Sequence, residues 1–157
     1  IKTDIVWSGC GTYTYQHMPL RIEVTLGEYT VPVLVDTGSD YDAIDRSLSE
    51  SLSSSGCEAF CGRQQLQRPL SVAGFSRDMA KLTQSISRWQ FTYKGSNTQK
   101  GLSKIRTQTR DFNEFQRLGD YMILGMPSVE ASGGLEVVTG QHDKYVWLFE
   151  SYRTFSE

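Results

Sequence analysis

Residues 31–39, with the sequence VPVLVDTGS, carry the strongest structural signal in the chain. The nearly continuous apolar run predicts a strand buried on both faces, and Pro32 near its start is tolerated at a sheet edge. Asp36 follows this run directly, so its carboxylate lies where a buried strand ends, and Gly38 allows the tight turn that presents it. By position alone, a catalytic acid and a turn-forming acid explain Asp36 equally well, so other segments must decide between them.

Regular patterns flank this turn on both sides. Apolar and polar residues alternate across Leu20–Leu26, which predicts a half-buried strand before it. After the turn, apolar residues recur at a spacing of four from Ile44 to Leu52, which predicts a short amphipathic helix. Either Asp42 or Asp45 is predicted to stand at the start of that helix as its cap.

Further along the chain, short apolar runs between polar turns predict a mainly β protein. Residues 53–69 lack a clear period and predict an exposed, irregular insertion. Residues 70–73 and 80–86 are predicted to form two arms of a hairpin, with a helix as the alternative for the second arm. Pro127 is predicted to begin one or two helical turns at residues 126–132. Later strands are predicted at residues 89–93, 105–112, 121–124, 137–138 and 145–149.

Length and charge limit the classes of function. A chain of 157 residues fits one domain over residues 1–157, with a core at about 20–132 and C-terminal strands at about 135–150. The 16 basic and 18 acidic residues leave a net charge of −2, so no nucleic-acid partner is predicted. No apolar run approaches the roughly 20 residues that cross a bilayer, so no membrane partner is predicted either. Because the chain begins at Ile1 rather than at a methionine, we expect it to be part of a longer polypeptide.

The cysteines and histidines indicate no metal centre. Cys10, Cys57 and Cys61 are odd in number and without repeated spacing, which favours free thiols in a reducing compartment, with a Cys57–Cys61 disulfide left as an alternative. His17 and His142 are distant in sequence from Cys57 and Cys61, so no zinc site is predicted. Neither histidine has a nucleophile motif near it, so serine or cysteine catalysis is not predicted either. We therefore expect no metal and no cofactor.

A second motif, MILGM at residues 122–126, lies far downstream of the Asp-Thr-Gly turn. Taken with VLVDTGS at residues 33–39, its order, spacing and strand context resemble the retropepsin family, the aspartic proteases of retroviruses and long-terminal-repeat retrotransposons. The resemblance covers about residues 20–132, and residues 40–52 are similar to the retrotransposon version, in which a short helix follows the catalytic turn. It implies a mainly β, closed acid-protease barrel with one or two short helices.

The resemblance also implies a chemistry and an oligomeric state. In the family, two aspartates share one proton around a water molecule, because like charges so close cannot both ionise. One carboxylate acts as a base toward the water and the other as an acid toward the peptide. This chain has a single Asp-Thr-Gly, so the resemblance implies a C2 homodimer in which each copy supplies one Asp36. Thr37 and Gly38 are implied to shape and hold the catalytic turn.

Further residues are implied at the substrate and beneath the turn. Ser39 and Asp40 follow the catalytic turn and are implied to bind substrate, and Ser39 is also predicted to donate a hydrogen bond to Asp36. The first arm of a substrate-covering flap is implied at Val72, Ala73, Gly74 and Phe75. Structural residues under the turn are implied at Ile123, Leu124 and Gly125.

The sequence thus predicts an aspartic endopeptidase that cleaves a peptide or polyprotein substrate, processing its own retroelement polyprotein in the cytoplasm or in a virus-like particle. One alternative is a retropepsin-like module that dimerises or binds peptides without catalysis, since fold does not fix function. A domesticated cellular protease, differing in substrate, is another. Asp40 and Asp42 also suggest a phosphatase pair or a metal loop, but the strand ends at Asp36 and the distal Glu of a calcium loop is absent.

Overall fold

A computed structural model describes residues 10–14, 20–72, 81–97, 102–118, 122–139 and 143–149. These residues form ten strands and two short helices. The strands are β1 (Cys10–Thr14), β2 (Leu20–Leu26), β3 (Tyr29–Val35), β4 (Ala43–Asp45), β5 (Phe60–Val72), β6 (Lys81–Asn97), β7 (Leu102–Phe115), β8 (Met122–Leu124), β9 (Leu135–Thr139) and β10 (Asp143–Phe149). The helices are α1 (Arg46–Ser54) and α2 (Met126–Ala131).

Six of these strands close into a barrel. They are hydrogen-bonded in the order β6, β2, β3, β8, β4 and β7, and β7 pairs again with β6 along an antiparallel ladder. The neighbours β2 and β3 form an antiparallel hairpin, whereas β3 pairs with the distant β8 in parallel. Closure leaves the barrel without a free edge at these strands. The prediction of a mainly β closed barrel with one or two short helices is confirmed.

Alternation along the strands fills the barrel with apolar side chains. In β2 the residues Ile22, Val24 and Leu26 are buried, as their period predicted. In β6 the three aromatic residues at alternate positions point into the same core and pack beside Phe112 of β7. Those three residues are Trp89, Phe91 and Tyr93, each at most 4% exposed.

Strand β3 is buried differently from its prediction. Val31, Val33 and Val35 are buried, but Pro32 is exposed and Leu34 is only half-buried. Leu34 packs against a second, smaller apolar cluster around Ala43, Phe115, Leu118 and Ile123. The apolar run is continuous in sequence because one face of β3 packs in the main core, whereas Leu34 on the other face contacts the smaller cluster. The prediction of burial on both faces is therefore wrong at Pro32.

The irregular insertion predicted at residues 53–69 is wrong in its conformation. Helix α1 extends to Ser54, and β5 begins at Phe60 and runs through residue 69. This segment remains largely exposed, as expected. Its glycines, serines and glutamines hide the strand period because β5 carries register shifts, between Phe60 and Gly62 and between Gln65 and Leu70, that break the alternation.

A long antiparallel meander, β5–β6–β7, follows α1. Val72 pairs with Lys81, so residues 70–72 and 81–86 form two strands and the alternative of a helix for the second arm is wrong. The tip between them, residues 73–80, lies outside the described residues. Strand β10 pairs antiparallel with β1 and β9, and its last two residues pair in parallel with β6. The late strands lie where the sequence predicted them.

Helix α1 follows β4 directly, and α2 begins at the second residue after β8. Asp45 caps α1, because its Oδ2 accepts the Leu48 N–H at 3.2 Å, while its Oδ1 accepts the Leu118 N–H at 2.9 Å. Pro127 lies in the first turn of α2, as predicted. Neither helix, within the part of the chain that is described, is long and apolar enough to cross a membrane.

Candidate active site

The Asp-Thr-Gly turn leaves the end of β3 and presents an exposed carboxylate. The Asp36 N–H donates to the Leu124 carbonyl at 2.9 Å, which continues the β3–β8 pairing by one residue. Asp36 Oδ1 accepts the Gly38 N–H at 2.9 Å, and the Asp36 carbonyl accepts the Ser39 N–H at 3.1 Å. These three bonds fix the turn backbone and one carboxylate oxygen, while Asp36, Thr37 and Gly38 remain exposed.

Gly125 allows the two predicted motifs to pack backbone against backbone. A Cβ atom at Gly125 would lie 2.4 Å from the Tyr41 carbonyl oxygen and 2.7 Å from the Ser39 carbonyl oxygen. The next residue, Met126, donates its N–H to that Ser39 carbonyl at 2.9 Å. Glycine is therefore required here by close approach of another chain segment.

Ser39 does not donate to Asp36, so that prediction is wrong. Its Oγ donates to the Tyr41 carbonyl at 2.7 Å and accepts the Tyr41 N–H at 3.2 Å. A hydroxyl has one proton to donate, and a local carbonyl two residues away receives it. Ser39 closes the loop after the turn, and the donor to Asp36 is the Gly38 backbone.

Of the two residues predicted as the cap of α1, Asp45 has that role, whereas Asp42 anchors the other end of this loop. It is 3% exposed, and its two oxygens accept the Gly125 N–H at 2.8 Å and the Ser128 hydroxyl at 2.7 Å. Burial raises the pKa of Asp42 above its ordinary value, and the bonds from Ser128 and Gly125 with the charge of Arg110 offset only part of that rise. The side chain joins the loop to the start of α2.

The β7 strand holds the same loop from the opposite side. The Asp42 carbonyl accepts the Asn113 backbone N–H at 3.0 Å and the Asn113 side-chain amide at 3.3 Å. Arg110 Nε lies 3.6 Å from Asp42 Oδ2, close enough for charge attraction but too far for a good hydrogen bond. Sequence reasoning missed Asn113 and Ser128, since neither has a local pattern that indicates its distant partner.

A cavity of about 510 Å³ adjoins the loop at residues 39–42, which follows the Asp-Thr-Gly turn. Asp40 and Tyr41 form its edge nearest Asp36, and an Arg88–Asp111 ion pair, with Nε and Oδ1 2.8 Å apart, forms another wall. The hydrogen bond and charge of Arg88 hold the pKa of Asp111 below its ordinary value. The remaining lining residues are Asp42, Thr109, Arg110, Asn113 and Pro127. Asp40 therefore borders a polar recess immediately beside the turn.

The other predicted residues fall into two groups. Ile123 and Leu124 are buried and pair with Leu34 and Val35, directly beneath the turn. Val72 ends β5, while Ala73, Gly74 and Phe75 lie outside the described residues. The structure thus brings the residues 36–42 together with the residues 122–128.

Metal ligation and disulfide formation are the other roles open to cysteine and acidic side chains among the described residues. No group of three or more histidine, cysteine, aspartate or glutamate side chains there is arranged to hold a metal ion. Cys57 and Cys61 are both free thiols, so the structure contains no disulfide between these two residues. The ionisable groups that the structure places at the turn are carboxylates.

Among known proteins, similarity to this chain is found with solved structures. No protein-family model and no curated protein matches the chain. The retroviral protease-like domain of Ddi1 from Leishmania major is similar at a TM-score of 0.39 and 11% identity, covering 79% of this chain and 81% of that one. A retropepsin-like aspartic protease from Rickettsia conorii is similar at a TM-score of 0.39 and 12% identity, covering 93% and 94%.

Proposed function

We propose that the chain is a retropepsin-like aspartic endopeptidase that acts as a C2 homodimer. The observation that carries the proposal is the exposed Asp36 carboxylate on a rigid Asp-Thr-Gly turn at the end of a barrel strand. An acid that served only to close its own turn would need one accepting oxygen, and Oδ1 of Asp36 already accepts the Gly38 N–H. The second oxygen remains available for a reacting group.

A homodimer follows from the count of catalytic turns. Water activation between carboxylates needs two acids that face each other, and this sequence has one Asp-Thr-Gly. A twofold axis passing beside Asp36 brings an identical turn opposite it, so each subunit contributes half of the site. The exposure of Asp36 and Thr37 in a single chain supports this arrangement, because both side chains are accessible to a second copy.

The reaction needs only the two carboxyl groups and a water molecule. One ionised Asp36 takes a proton from the water as its oxygen attacks the peptide carbonyl carbon, while the protonated Asp36 of the other subunit donates to the carbonyl oxygen. The gem-diol intermediate then collapses: one hydroxyl returns its proton to the second carboxylate as the carbonyl re-forms, the C–N bond breaks, and the amine nitrogen leaves with a proton from the first carboxyl. Both products leave without a covalent enzyme intermediate. The rigid turn supplies preorganisation, since little movement is needed during the reaction.

Substrate contacts are proposed on both sides of Asp36. Asp40, exposed at the edge of the cavity, is proposed to accept a backbone N–H of an extended peptide, and residues 72–75 are proposed to cover that peptide as a flap. Ser39 contributes by holding the loop through Tyr41. We further propose that the substrate is a retroelement polyprotein cut in the cytoplasm or in a virus-like particle, on the sequence resemblance of the turn and of the helix after it.

The experiment compares the purified wild-type chain with Asp36→Asn on a peptide library at about pH 4 to 7, with the dimer fraction measured by sedimentation. We expect wild-type cleavage and a loss of at least about 10²–10⁴-fold in Asp36→Asn, the range for removing an acid–base group. Glu50→Gln is the matched control, because Glu50 is an exposed acid of α1 whose partner in the described part of the chain is the neighbouring Arg46. It should cleave as the wild type does.

The outcomes separate the alternatives. Loss of cleavage in Asp36→Asn at an unchanged dimer fraction supports the shared-aspartate mechanism. A folded wild-type dimer that cleaves no peptide favours the catalytically silent dimerisation or peptide-binding module. Full activity in a monomer overturns the dimeric site.

A further inference from the structure

A buried carboxylate lies inside the barrel, away from the catalytic turn. The side chain of Glu114 in β7 is fully buried, and its two oxygens lie 2.9 and 3.1 Å from Nε of Arg63 in β5. Ser85 of β6 donates its hydroxyl to Glu114 Oε1 at 2.5 Å, and the Ser49 hydroxyl of α1 donates to Oε2. One carboxylate therefore joins three strands and a helix.

Arg63 extends this link across the outside of α1. Its NH2 group donates to the Ser49 hydroxyl at 2.8 Å and to the Ser53 hydroxyl at 3.4 Å. Its guanidinium carbon also lies 5.2 Å from the ring centre of Phe60, in the same strand. A planar group with several fixed donors restricts both the position and the direction of its partners. Arg63 thus attaches β5 to α1 and β7 in a defined geometry.

The attachment matters because the pairing of β5 is irregular. Among the described residues β5 pairs only with β6, and the ladder shifts register on each side of Arg63, before Gly62 and after Gln65. Shifted ladders bend a strand and leave its direction poorly fixed by backbone pairing alone. The Arg63–Glu114 pair lies between those shifts and supplies the missing constraint.

The other end of the link is one residue from the catalytic loop. Glu114 is paired with Ile44 in the β4–β7 ladder, and the preceding residue, Asn113, bonds the Asp42 carbonyl that ends the loop. At its other end β5 finishes with Val72, the first of the four residues that the family resemblance implies for the flap arm. A single ion pair therefore relates the direction of β5 to the position of the catalytic loop.

We propose that Arg63 and Glu114 are positioning residues of the protease, which fix the direction of β5, up to its last residue Val72, relative to the loop at residues 39–42 and so determine how tightly peptide is held. The inference rests on the proposed function. A buried ion pair contributes little net stability compared with apolar packing, but its directionality specifies geometry. Breaking it is expected to raise KM for the peptide while kcat changes little, because Asp36 and its turn bonds are untouched.

The test uses the full chain with Arg63→Met, Arg63→Lys and the double variant Arg63→Met with Glu114→Gln. The double variant guards against unfolding, since it leaves no buried unpaired carboxylate. Arg46→Met is the control, because it breaks an exposed Arg–Glu pair with the same 2.9 Å Nε–Oε1 distance in α1. Peptide KM and kcat are measured beside hydrogen exchange of residues 60–72.

We expect Arg63→Met and the double variant to raise KM about tenfold or more with kcat within about threefold, and Arg63→Lys to recover part of that loss. Exchange should accelerate in β5 and not in β2–β3, and Arg46→Met should match the wild type in every readout. Unchanged KM and unchanged β5 exchange in a folded Arg63→Met chain overturn the inference while the proposed function stands. A wild-type chain that cleaves no peptide overturns the proposed function and with it the expected effect on KM. Hydrogen exchange in β5 then tests separately whether the Arg63–Glu114 pair fixes that strand.

Discussion

Asp42 and Glu114 are two buried carboxylates whose pKa values are shifted in opposite directions. Asp42 accepts a backbone N–H and a hydroxyl, with Arg110 at 3.6 Å, and its pKa is raised by burial. Burial alone also raises the pKa of Glu114, but the hydrogen bonds from Arg63, Ser49 and Ser85 together hold that pKa below its ordinary value. The donors to Asp42 with the distant charge of Arg110 offset only part of the cost of burying its charge, whereas for Glu114 the directly bonded guanidinium and the two hydroxyls together outweigh that cost.

The two acids therefore serve different purposes. The hydrogen bonds of Asp42 join the loop at residues 39–42 to the start of α2, so Asp42 stabilises the geometry of the Asp-Thr-Gly turn. Glu114 neutralises a charge and joins secondary structure elements, so its removal leaves Arg63 without its charge partner, at 25% side-chain exposure. The difference predicts that the Glu114 region affects stability more, and the Asp42 region affects activity more.

Glu114→Gln should have the largest effect on stability. The variant leaves the Arg63 charge unpaired, which costs about 3–5 kcal/mol for a buried pair, toward the lower end because Arg63 reaches solvent. Urea unfolding at neutral pH measures the change. Glu50→Gln, which breaks the exposed Arg46 pair, should cost at most about 0.5 kcal/mol. Equal losses in the two variants would show that the Glu114 pair has no special weight.

Gly125→Ala comes next and tests the Asp42 region through its backbone partner. The added methyl would lie 2.4 Å from the Tyr41 carbonyl oxygen, so the loop or α2 must move, at about 1–3 kcal/mol. Because the moved segment carries Asp36, peptide cleavage should fall by more than the stability loss explains. Thermal melting and cleavage of one peptide measure the two effects. Wild-type cleavage in this variant would contradict the close packing of the two motifs.

Asp42→Asn should destabilise the chain less than Glu114→Gln does. The amide oxygen still accepts the Gly125 N–H, and the buried charge is removed, so only the geometry at Ser128 is disturbed, at about 1 kcal/mol. Cleavage should fall at unchanged dimer content, because the loop that carries Asp36 loses an anchor. Ser128→Ala is the matched variant and should show a similar but smaller loss of cleavage. A stability loss as large as that of Glu114→Gln would reverse the comparison.

The dependence of stability on pH should separate the two acids most finely. The pKa of Glu114 is lowered from 4.5, so its contribution is full above pH 4.5 and is lost as the pH falls through the folded value. The pKa of Asp42 is raised from 3.8, so its contribution is present below pH 3.8 and is lost as the pH rises through the folded value.

Urea unfolding of the wild type, Glu114→Gln and Asp42→Asn at about pH 3 to 7 tests this, with a limit of about 1.4 kcal/mol per pH unit for one proton. Glu114→Gln should flatten the fall in stability on the acid side. Asp42→Asn should remove a loss that appears above pH 3.8. The same pH profile in both variants and the wild type would contradict the opposite pKa directions.

Much of the barrel could be predicted from local patterns, and its failures have identifiable causes. The alternation in β2 and Pro127 in α2 act within one or two turns of chain, so the sequence shows them, while for the cap of α1 it left Asp42 and Asp45 as alternatives, of which the structure has Asp45. The strand at residues 60–69 was missed because its register shifts break the period. The buried serines of β6 were missed because small polar side chains inside a barrel make sense only beside the Glu114 carboxylate.

The sequence by itself determined the Asp-Thr-Gly turn, since a run of apolar residues followed by Asp36 and Gly38 specifies a strand and a tight turn through interactions between near neighbours. Only the tertiary structure decided which carboxylates are buried and what neutralises them. Asp42 bonds Gly125 across 83 positions, and Arg63 bonds Glu114 across 51. Such pairings depend on which strands are adjacent in the closed barrel and on the face that each residue presents, and no local period encodes either.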